Sequence, residues 1–282
     1  MVTRTRKPRT PSEPPRRPRL RLRRRPAGAG GAGLIRLLAW CVHLYTALGL
    51  VAAAVIAVLL VQGGPAAFRW SFVVMLVATL IDATDGTLAR AIGIKKVLPQ
   101  FDGRKLDDLT DFLTYTFLPL LLIWRAAILP AGWDGLLLLP LLASAYGFCQ
   151  LEAKTDDGYF LGFPSLWNVV AFYLYVLQLP GWLAVAAITL LSLLTFVPTR
   201  YLYPSQSGRL NTLSNILGAV WTCMIVLILA QLPTGSEPAP GPAISRATWN
   251  LALISLYYPA FYMISSWAVT LARWRRLPRP VR

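Results

Sequence analysis

The sequence predicts an all-α protein, a polytopic bundle of transmembrane helices with about eight spans. Two observations support this prediction. First, 56% of the 282 residues are hydrophobic and only 14% are charged, whereas roughly 25% are charged in a typical soluble domain. Second, apolar runs of about 20 residues or more recur along the chain, which is the length that a helix needs to cross a hydrocarbon core of about 30 Å. Lipid is therefore expected to surround most of the chain.

Eight apolar segments are expected as spans, and they define the predicted domains. They are residues 34–62, 66–93, 105–129, 135–153, 159–178, 181–203, 211–232 and 246–273. The transmembrane domain is accordingly placed at 34–275, after an N-terminal arm at 1–33 and before a short basic tail at 276–282. Neither flanking segment has the long apolar run that a further span would require.

The connections between these segments differ in charge from one side of the membrane to the other. Alternate connections and the C-terminal tail contain Arg90, Lys95, Lys96, Arg104, Lys105, Lys154, Arg200, Arg209 and the basic residues of 273–282. The remaining connections, around 63–65, 130–135, 180–181 and 233–245, contain no Lys or Arg. This asymmetry follows the positive-inside rule and predicts an even number of spans with both termini in the cytoplasm.

The net charge of +16 comes largely from the N-terminal arm. Residues 1–25 contain eleven Lys or Arg against the single acid Glu13, together with five prolines and few large apolar residues. Such a segment cannot bury a core, so it is expected to be a disordered arm that contacts anionic lipid headgroups. Nucleic acid is not an expected partner, because the positive charge lies beside a first span, where it usually sets topology.

Half of the 12 acidic residues lie close together in and between the second and third spans. They are Asp82, Asp85, Asp102, Asp107, Asp108 and Asp111. A charge at mid-membrane costs about 2.5 to 3.5 kcal/mol even on lenient insertion scales, so unpaired carboxylates are rarely kept there without a use. Asp102 falls in the connection and Asp108 is turned about 100° from Asp107, so both are expected to be surface or capping groups.

The other four carboxylates are predicted to converge on one point. At about 100° per residue, Asp82 and Asp85 lie about 60° apart on the second helix. By the same rule, Asp107 and Asp111 lie about 40° apart on the third helix. The second helix ends on the side of the membrane where the third begins, so all four side chains reach a similar depth near the cytoplasmic interface.

Four carboxylates at low dielectric repel one another and take up protons unless cations lie among them. Two divalent ions would balance four negative charges, and oxygen ligands suit Mg²⁺ or Mn²⁺. A two-metal site of this kind suits phosphoryl transfer, because it holds the attacking and the leaving oxygen. The spacing alone leaves a second interpretation open, namely a cation path or proton relay in a divalent-cation transporter.

Gly86, Ala89 and Arg90 share the broad helix face of Asp82 and Asp85. Two small side chains beside two acids predict a slot in which a bulky ligand could lie against the backbone, with the Arg90 guanidinium as a fork for phosphate. The alternative is that the small residues serve close helix packing.

The whole stretch reads Asp82-x2-Asp85-Gly86-x2-Ala89-Arg90-x12-Gly103-x3-Asp107-x3-Asp111, and it resembles the signature of the CDP-alcohol phosphotransferases. The twelve residues between Arg90 and Gly103 make a longer gap than in the commoner members. In this respect, and in segments such as Lys154-Thr-Asp156 and Gly162-Phe-Pro164, the chain is similar to the bacterial phosphatidylcholine synthase branch of that family.

The resemblance implies a role for each motif residue. Asp82 and Asp107 match ligands shared by two divalent ions, Asp85 matches a ligand of one ion, and Asp111 matches a ligand of the other that also acts as catalytic general base. Positions that bind the CDP-activated lipid are matched by Gly86, Ala89, Arg90 and Gly103.

The same resemblance implies a multi-pass enzyme of the bacterial inner membrane, with its active site near the cytoplasmic face and with a homodimer as an expected assembly. Its substrates would be CDP-diacylglycerol and choline, and its product phosphatidylcholine. Serine is the alternative acceptor, which would make the enzyme a phosphatidylserine synthase.

Choline is the preferred acceptor because the segments near the site offer few basic groups for a phosphorylated alcohol. Its quaternary ammonium accepts no ordinary hydrogen bond, so proteins usually hold it against aromatic faces, each worth about 0.5 to 2 kcal/mol. Tyr115 follows Asp111 by four residues on the same face of the third helix. Tyr115, Tyr159 and Trp167 are therefore predicted to form the choline pocket.

Overall fold

The computed structural model describes residues 29–150, 159–202, 208–235 and 244–275, and most of these are helical. The prediction of an all-α membrane helix bundle is confirmed. The predicted arm lies outside the described residues up to position 28, and helix α1 already begins at Ala29. The basic tail at 276–282 lies outside them as well.

Helices α1 (Ala29–Gln62) and α2 (Pro65–Ile92) form a long antiparallel hairpin. The turn between them consists of Gly63 and Gly64, whose φ angles of 69° and 86° suit residues without a Cβ. Pro65 then opens α2, where its missing N–H costs nothing. At the other end, α2 stops at Gly93 in the left-handed conformation, and the short helix α3 (Ile94–Val97) follows.

The third span is one helical run with a wide turn in its middle. It consists of α4 (Gly103–Asp111), a π-helical segment (Phe112–Phe117) and α5 (Leu118–Arg125). Pro119 lies in the first turn of α5, where it cannot donate to the carbonyl of Tyr115, and this accounts for the departure from α-helical hydrogen bonding just before it.

The middle of the chain forms shorter helices than the apolar segments predict. A 3₁₀ turn (Asp134–Leu137) leads into α6 (Leu138–Cys149), and α7 (Trp167–Leu177) and α8 (Gly181–Leu194) follow. The predicted spans 159–178 and 181–203 each include a short strand, β1 (Tyr159–Leu161) and β2 (Arg200–Leu202), which pair antiparallel. Pro164 and Pro198 explain the difference, since neither proline nor the residue before it favours a helix.

Helix α7 lies at the centre of the bundle. Eight of its eleven residues are buried, and they pack in one cluster with side chains of α1, α2, α5, α8 and α9. The cluster includes edge-to-face pairs of Phe72 with Phe172 and of Phe68 with Tyr175. The buried side chains of α7 therefore lie at the centre of the packing between these helices.

The last helices are α9 (Arg209–Gln231), α10 (Arg246–Ser255) and α11 (Tyr257–Trp274). Hydroxyls of α11 accept hydrogen bonds from the outer edge of β2: Thr270 from the N–H of Arg200 at 2.8 Å, and Ser266 from the N–H of Leu202 at 3.2 Å. These bonds satisfy strand N–H groups that lipid could not.

The described residues contain four helical stretches long and apolar enough to cross a membrane: Gly31–Gln62, Gly64–Ile92, Arg209–Gln231 and Arg246–Trp274. Shorter apolar stretches are Asp134–Cys149, Trp167–Leu177 and Gly181–Leu194. The membrane assignment therefore holds, while the number of eight spans remains a prediction.

Gly49 determines how closely α1 approaches α4. A Cβ at this position would collide with the methyl group of Thr110. We expect Gly49→Ala to lower the free energy of unfolding by about 1 to 3 kcal/mol, because the overpacked helices must separate. The measurement is the thermal unfolding midpoint of the purified protein in detergent.

Two further variants control this prediction. Gly33→Ala on the same helix should not be destabilising, since an added Cβ there meets nothing within 4 Å. In a Thr110→Ser background, which lacks the colliding methyl group, Gly49→Ala should cost much less than in the wild type. An equal cost in both backgrounds would show that this contact does not set the helix spacing.

Candidate metal centre

Three carboxylates of the second and third spans meet at one point. Oxygen atoms of Asp82 on α2 and of Asp107 and Asp111 on α4 all lie within 4.8 Å of one another, and the three side chains are half-buried. Two oxygens on opposite sides of one Mg²⁺ are separated by about 4 Å, since each lies about 2.1 Å from the ion. The donor set and the spacing therefore fit a divalent cation, and the predicted convergence is confirmed for these three aspartates.

Asp85 lies beside this group rather than within it. It is buried, with 6% of its surface exposed, and it lines the same small cavity as the other three aspartates. Its Oδ2 accepts a hydrogen bond of 2.7 Å from the hydroxyl of Thr46 on α1. Thr46 was not among the predicted site residues, since its signal in the sequence is no more than a polar side chain within the apolar run of α1.

Tyr115 reaches the same group from the π-helical segment. Its hydroxyl donates a hydrogen bond of 2.8 Å to Oδ2 of Asp82. The residue is 9% exposed, so little of its ring is open to a ligand. Tyr115 was predicted to use its aromatic face, whereas in the structure its hydroxyl is directed to a carboxylate.

The predicted lipid slot is only partly assembled on one face of α2. The Arg90 guanidinium lies over Gly86, where an added Cβ would be 3.2 Å from Nη1, and its Nη2 donates to the hydroxyl of Thr87 at 3.0 Å. Ala89 instead packs against the buried cluster formed by Ala39, Val42, Ile94 and Leu98. Gly86 and Arg90 thus lie together, and Ala89 faces the packing between helices.

Gly103 begins α4 and lies against His43 of α1. A Cβ on Gly103 would come within 2.9 Å of the imidazole Nδ1, so only glycine fits here without movement. The adjacent Asp102 caps α4, accepting a hydrogen bond of 3.3 Å from the N–H of Lys105. Asp108 lies 4.0 Å from Arg104 at the surface. The expectation that Asp102 and Asp108 are capping and surface groups is confirmed.

Comparison with known proteins decides the family. No protein-family profile matches the chain. The phosphatidylcholine synthase of Pseudomonas aeruginosa is 38% identical over 197 residues, which cover 69% of this chain and 81% of that protein. The chain belongs to the phosphatidylcholine synthase family. The resemblance inferred from the aspartate motif is confirmed.

Two further relatives with the same name extend the match. The phosphatidylcholine synthase of Legionella bozemanae is 36% identical over 196 residues, covering 67% of this chain and 89% of that protein. The one from Borreliella burgdorferi is 31% identical over 224 residues, covering 78% and 94%. Members from three bacteria thus align with most of the chain.

The other two residues predicted for the choline pocket of this family member lie elsewhere in the fold. Trp167 is 1% exposed, and its indole N–H donates to the hydroxyl of Ser144 at 2.9 Å within the core. Tyr159 lies in β1, with the guanidinium carbon of Arg200 at 5.8 Å from its ring centroid. Among the described residues, the lining of the aspartate cavity includes neither Tyr159 nor Trp167.

A hydrogen bond connects α7 to the helix that carries Asp82. The amide of Asn168 donates to the hydroxyl of Thr79 at 3.3 Å, and Thr79 precedes Asp82 by three residues, nearly one turn of α2. The N-terminal end of α7 therefore lies at nearly the same level along α2 as the carboxylates.

Proposed function

We propose that the protein transfers the phosphatidyl group of CDP-diacylglycerol to the hydroxyl of choline and releases CMP. The observation that supports this most directly is the convergence of Asp82, Asp107 and Asp111, with Asp85 beside them, in a chain of the phosphatidylcholine synthase family. In the reaction a bond forms between the choline oxygen and the phosphorus attached to diacylglycerol, and the bond from that phosphorus to CMP breaks.

Asp82, Asp107, Asp85 and Asp111 would together hold two divalent ions, Mg²⁺ or Mn²⁺. When bound, these ions supply positive charge that stabilises the pyrophosphate oxygens. Asp111 has a second role in the proposal. An alcohol is a poor nucleophile near neutral pH, so the Asp111 carboxylate accepts the proton of the choline hydroxyl as its oxygen attacks phosphorus.

The proposed contacts to the CDP-lipid lie on α2 and α4. Arg90 is exposed at the end of α2 and would bind a phosphate oxygen through its guanidinium. Gly86 lets this guanidinium lie close to the backbone of α2, where a Cβ would be 3.2 Å from Nη1. Ala89 and Gly103, which also match the motif, would act by allowing close contacts with α1 and α3 rather than by binding the ligand directly.

We place the site at the cytoplasmic face of the bacterial inner membrane. This is supported by the basic residues at the same end of the bundle as the aspartates, including Lys95, Lys96, Arg104 and Lys105, because such residues favour the cytoplasmic side.

For the acceptor, aromatic faces remain the proposed partner of the quaternary ammonium. With Trp167 fully buried, a pocket that uses this residue would have to open when substrate binds.

The experiment is a transfer assay with membranes that contain the protein. With labelled choline, CDP-diacylglycerol and Mn²⁺, we expect labelled phosphatidylcholine and an equal amount of CMP, and both should disappear when EDTA removes the metal. Label in lipid with serine but not with choline would replace choline by serine as the acceptor. Movement of Mn²⁺ across sealed vesicles without release of CMP would instead support a divalent-cation transporter.

A further inference from the structure

Both aspartates of α2 accept a hydrogen bond from a hydroxyl on a neighbouring helix. Tyr115 of the π-helical segment donates to Asp82, and Thr46 of α1 donates to Asp85, at 2.8 and 2.7 Å between oxygens. In each case the acceptor is the Oδ2 atom, and both donors are more than nine-tenths buried. The same hydrogen bond, from a buried hydroxyl to Oδ2 of an aspartate, therefore occurs twice at the candidate metal centre.

We propose that Tyr115 and Thr46 are positioning residues, whose hydroxyls fix the orientation of the Asp82 and Asp85 carboxylates for metal binding. This inference rests on the proposed metal-dependent transfer. It differs from the prediction that Tyr115 binds choline through its ring, because here the hydroxyl is the functional group.

The physical reason lies in the side-chain torsions of aspartate. The last torsion of an Asp side chain has a broad energy minimum, so an unrestrained carboxylate rotates easily. A hydrogen bond to a charged carboxylate is stronger than one between neutral groups, and low dielectric strengthens it further. One such bond to Oδ2 therefore selects one orientation of the carboxylate before any ion arrives.

The hydroxyl of Thr46 has two possible acceptors, and it donates its hydrogen to Asp85. Its hydroxyl also lies 3.3 Å from the carbonyl of Val42, one turn earlier in α1. It has a single hydrogen, and the carboxylate is both nearer and charged, so that hydrogen is directed to Asp85.

The π-helical segment gives Tyr115 its position. The wide turn begins at Phe112, directly after Asp111, so Tyr115 is not related to Asp111 by α-helical spacing. Asp111 and Tyr115 both face Asp82 of α2, one as a member of the carboxylate group and the other as its hydrogen-bond donor. Wide turns of this kind frequently occur at functional sites.

The test removes each hydroxyl with little change in shape, by Tyr115→Phe and Thr46→Val. Binding of Mn²⁺ to the purified protein is measured by electron paramagnetic resonance, which does not depend on turnover. We expect each variant to bind Mn²⁺ about 10- to 100-fold more weakly, the usual effect of losing a group that orients a ligand. The KM for choline at saturating Mn²⁺ should stay within about twofold of the wild type, because neither hydroxyl binds the acceptor.

The adjacent residue pair, Tyr45 and Thr84, provides a matched control. Tyr45, next to Thr46, forms a hydrogen bond of 2.8 Å with the hydroxyl of Thr84, next to Asp85. Tyr45→Phe therefore removes a hydroxyl between the same two helices without affecting a carboxylate. We expect this variant to bind Mn²⁺ like the wild type.

Each outcome decides between the alternatives. Unchanged Mn²⁺ affinity in Tyr115→Phe and Thr46→Val would overturn the inference, and so would an equal loss in Tyr45→Phe. If Tyr115→Phe behaves as the wild type while Tyr115→Leu raises the KM for choline, the ring rather than the hydroxyl is the functional group. If the wild type binds Mn²⁺ but forms no phosphatidylcholine, the proposed function fails, and the Mn²⁺ comparison still decides the role of the hydroxyls.

Discussion

Replacing Asp111 by Asn is expected to lower turnover by about 100- to 10,000-fold, the usual contribution of a general base. The amide has nearly the same shape as the carboxylate but cannot accept the proton of the attacking hydroxyl. Its carbonyl oxygen can still serve as a metal ligand. The variant should therefore retain Mn²⁺ binding while losing phosphatidylcholine synthesis.

Two measurements on Asp111→Asn separate these roles. Electron paramagnetic resonance gives the Mn²⁺ affinity, and a single-turnover assay at saturating Mn²⁺ gives the rate of the chemical step. Wild-type turnover would remove the general-base role from Asp111. Loss of both turnover and Mn²⁺ binding would contradict this prediction, because the carboxylate charge of Asp111 would then be required for metal binding.

The second large effect is expected for Asp107→Asn, which should lose both metal binding and turnover. An oxygen of Asp107 lies within 4.8 Å of oxygens of both Asp82 and Asp111. In the proposed site Asp107 would be a ligand of both ions, whereas Asp111 would be a ligand of one. An amide offers one oxygen without a negative charge. We expect the Mn²⁺ affinity to fall by more than about 100-fold, the upper end of the loss seen when only an orienting partner is removed.

The next residue provides the control. Asp108 lies on the same turn of α4, near Arg104 at the surface, with 37% of its side chain exposed. Asp108→Asn removes the same charge from the same helix, but only from a surface ion pair, which is worth about 0 to 1 kcal/mol. It should keep Mn²⁺ binding and turnover. An equal loss in both variants would mean that the net charge of the region matters, and not a specific ligand.

The convergence of the carboxylates could be predicted because it depends on helix geometry alone. Two residues three or four positions apart must share a helix face, and the short connection between α2 and α4 brings both faces to the same depth. The surface position of Asp108 followed from the same rule, and the capping role of Asp102 from its place in the connection between the spans; both are confirmed.

The hydroxyl donors could not be predicted in the same way. Thr46 meets Asp85 only through the packing of α1 on α2, and a single polar residue in an apolar run does not specify that packing. The direction of Tyr115 depends on a π-helical turn, whose wide spacing a regular α-helical pattern does not describe. Tertiary contacts also place Trp167 in the core, where its aromatic side chain packs and hydrogen-bonds to Ser144.

The short helix α7 has a consequence for how substrates of opposite solubility reach one site. Its eleven residues extend about 16 Å, roughly half the thickness of a hydrocarbon core. The strand ribbon precedes it, and its first turn is tied to α2 within a turn of Asp82. With the site at the cytoplasmic face as proposed, the ribbon rather than a further stretch of helix lies between this depth and the aqueous phase, on the side from which the small alcohol would enter and the nucleotide would leave. The diacylglycerol moiety would stay in the bilayer throughout, and the phospholipid product would leave the site by lateral diffusion in the lipid.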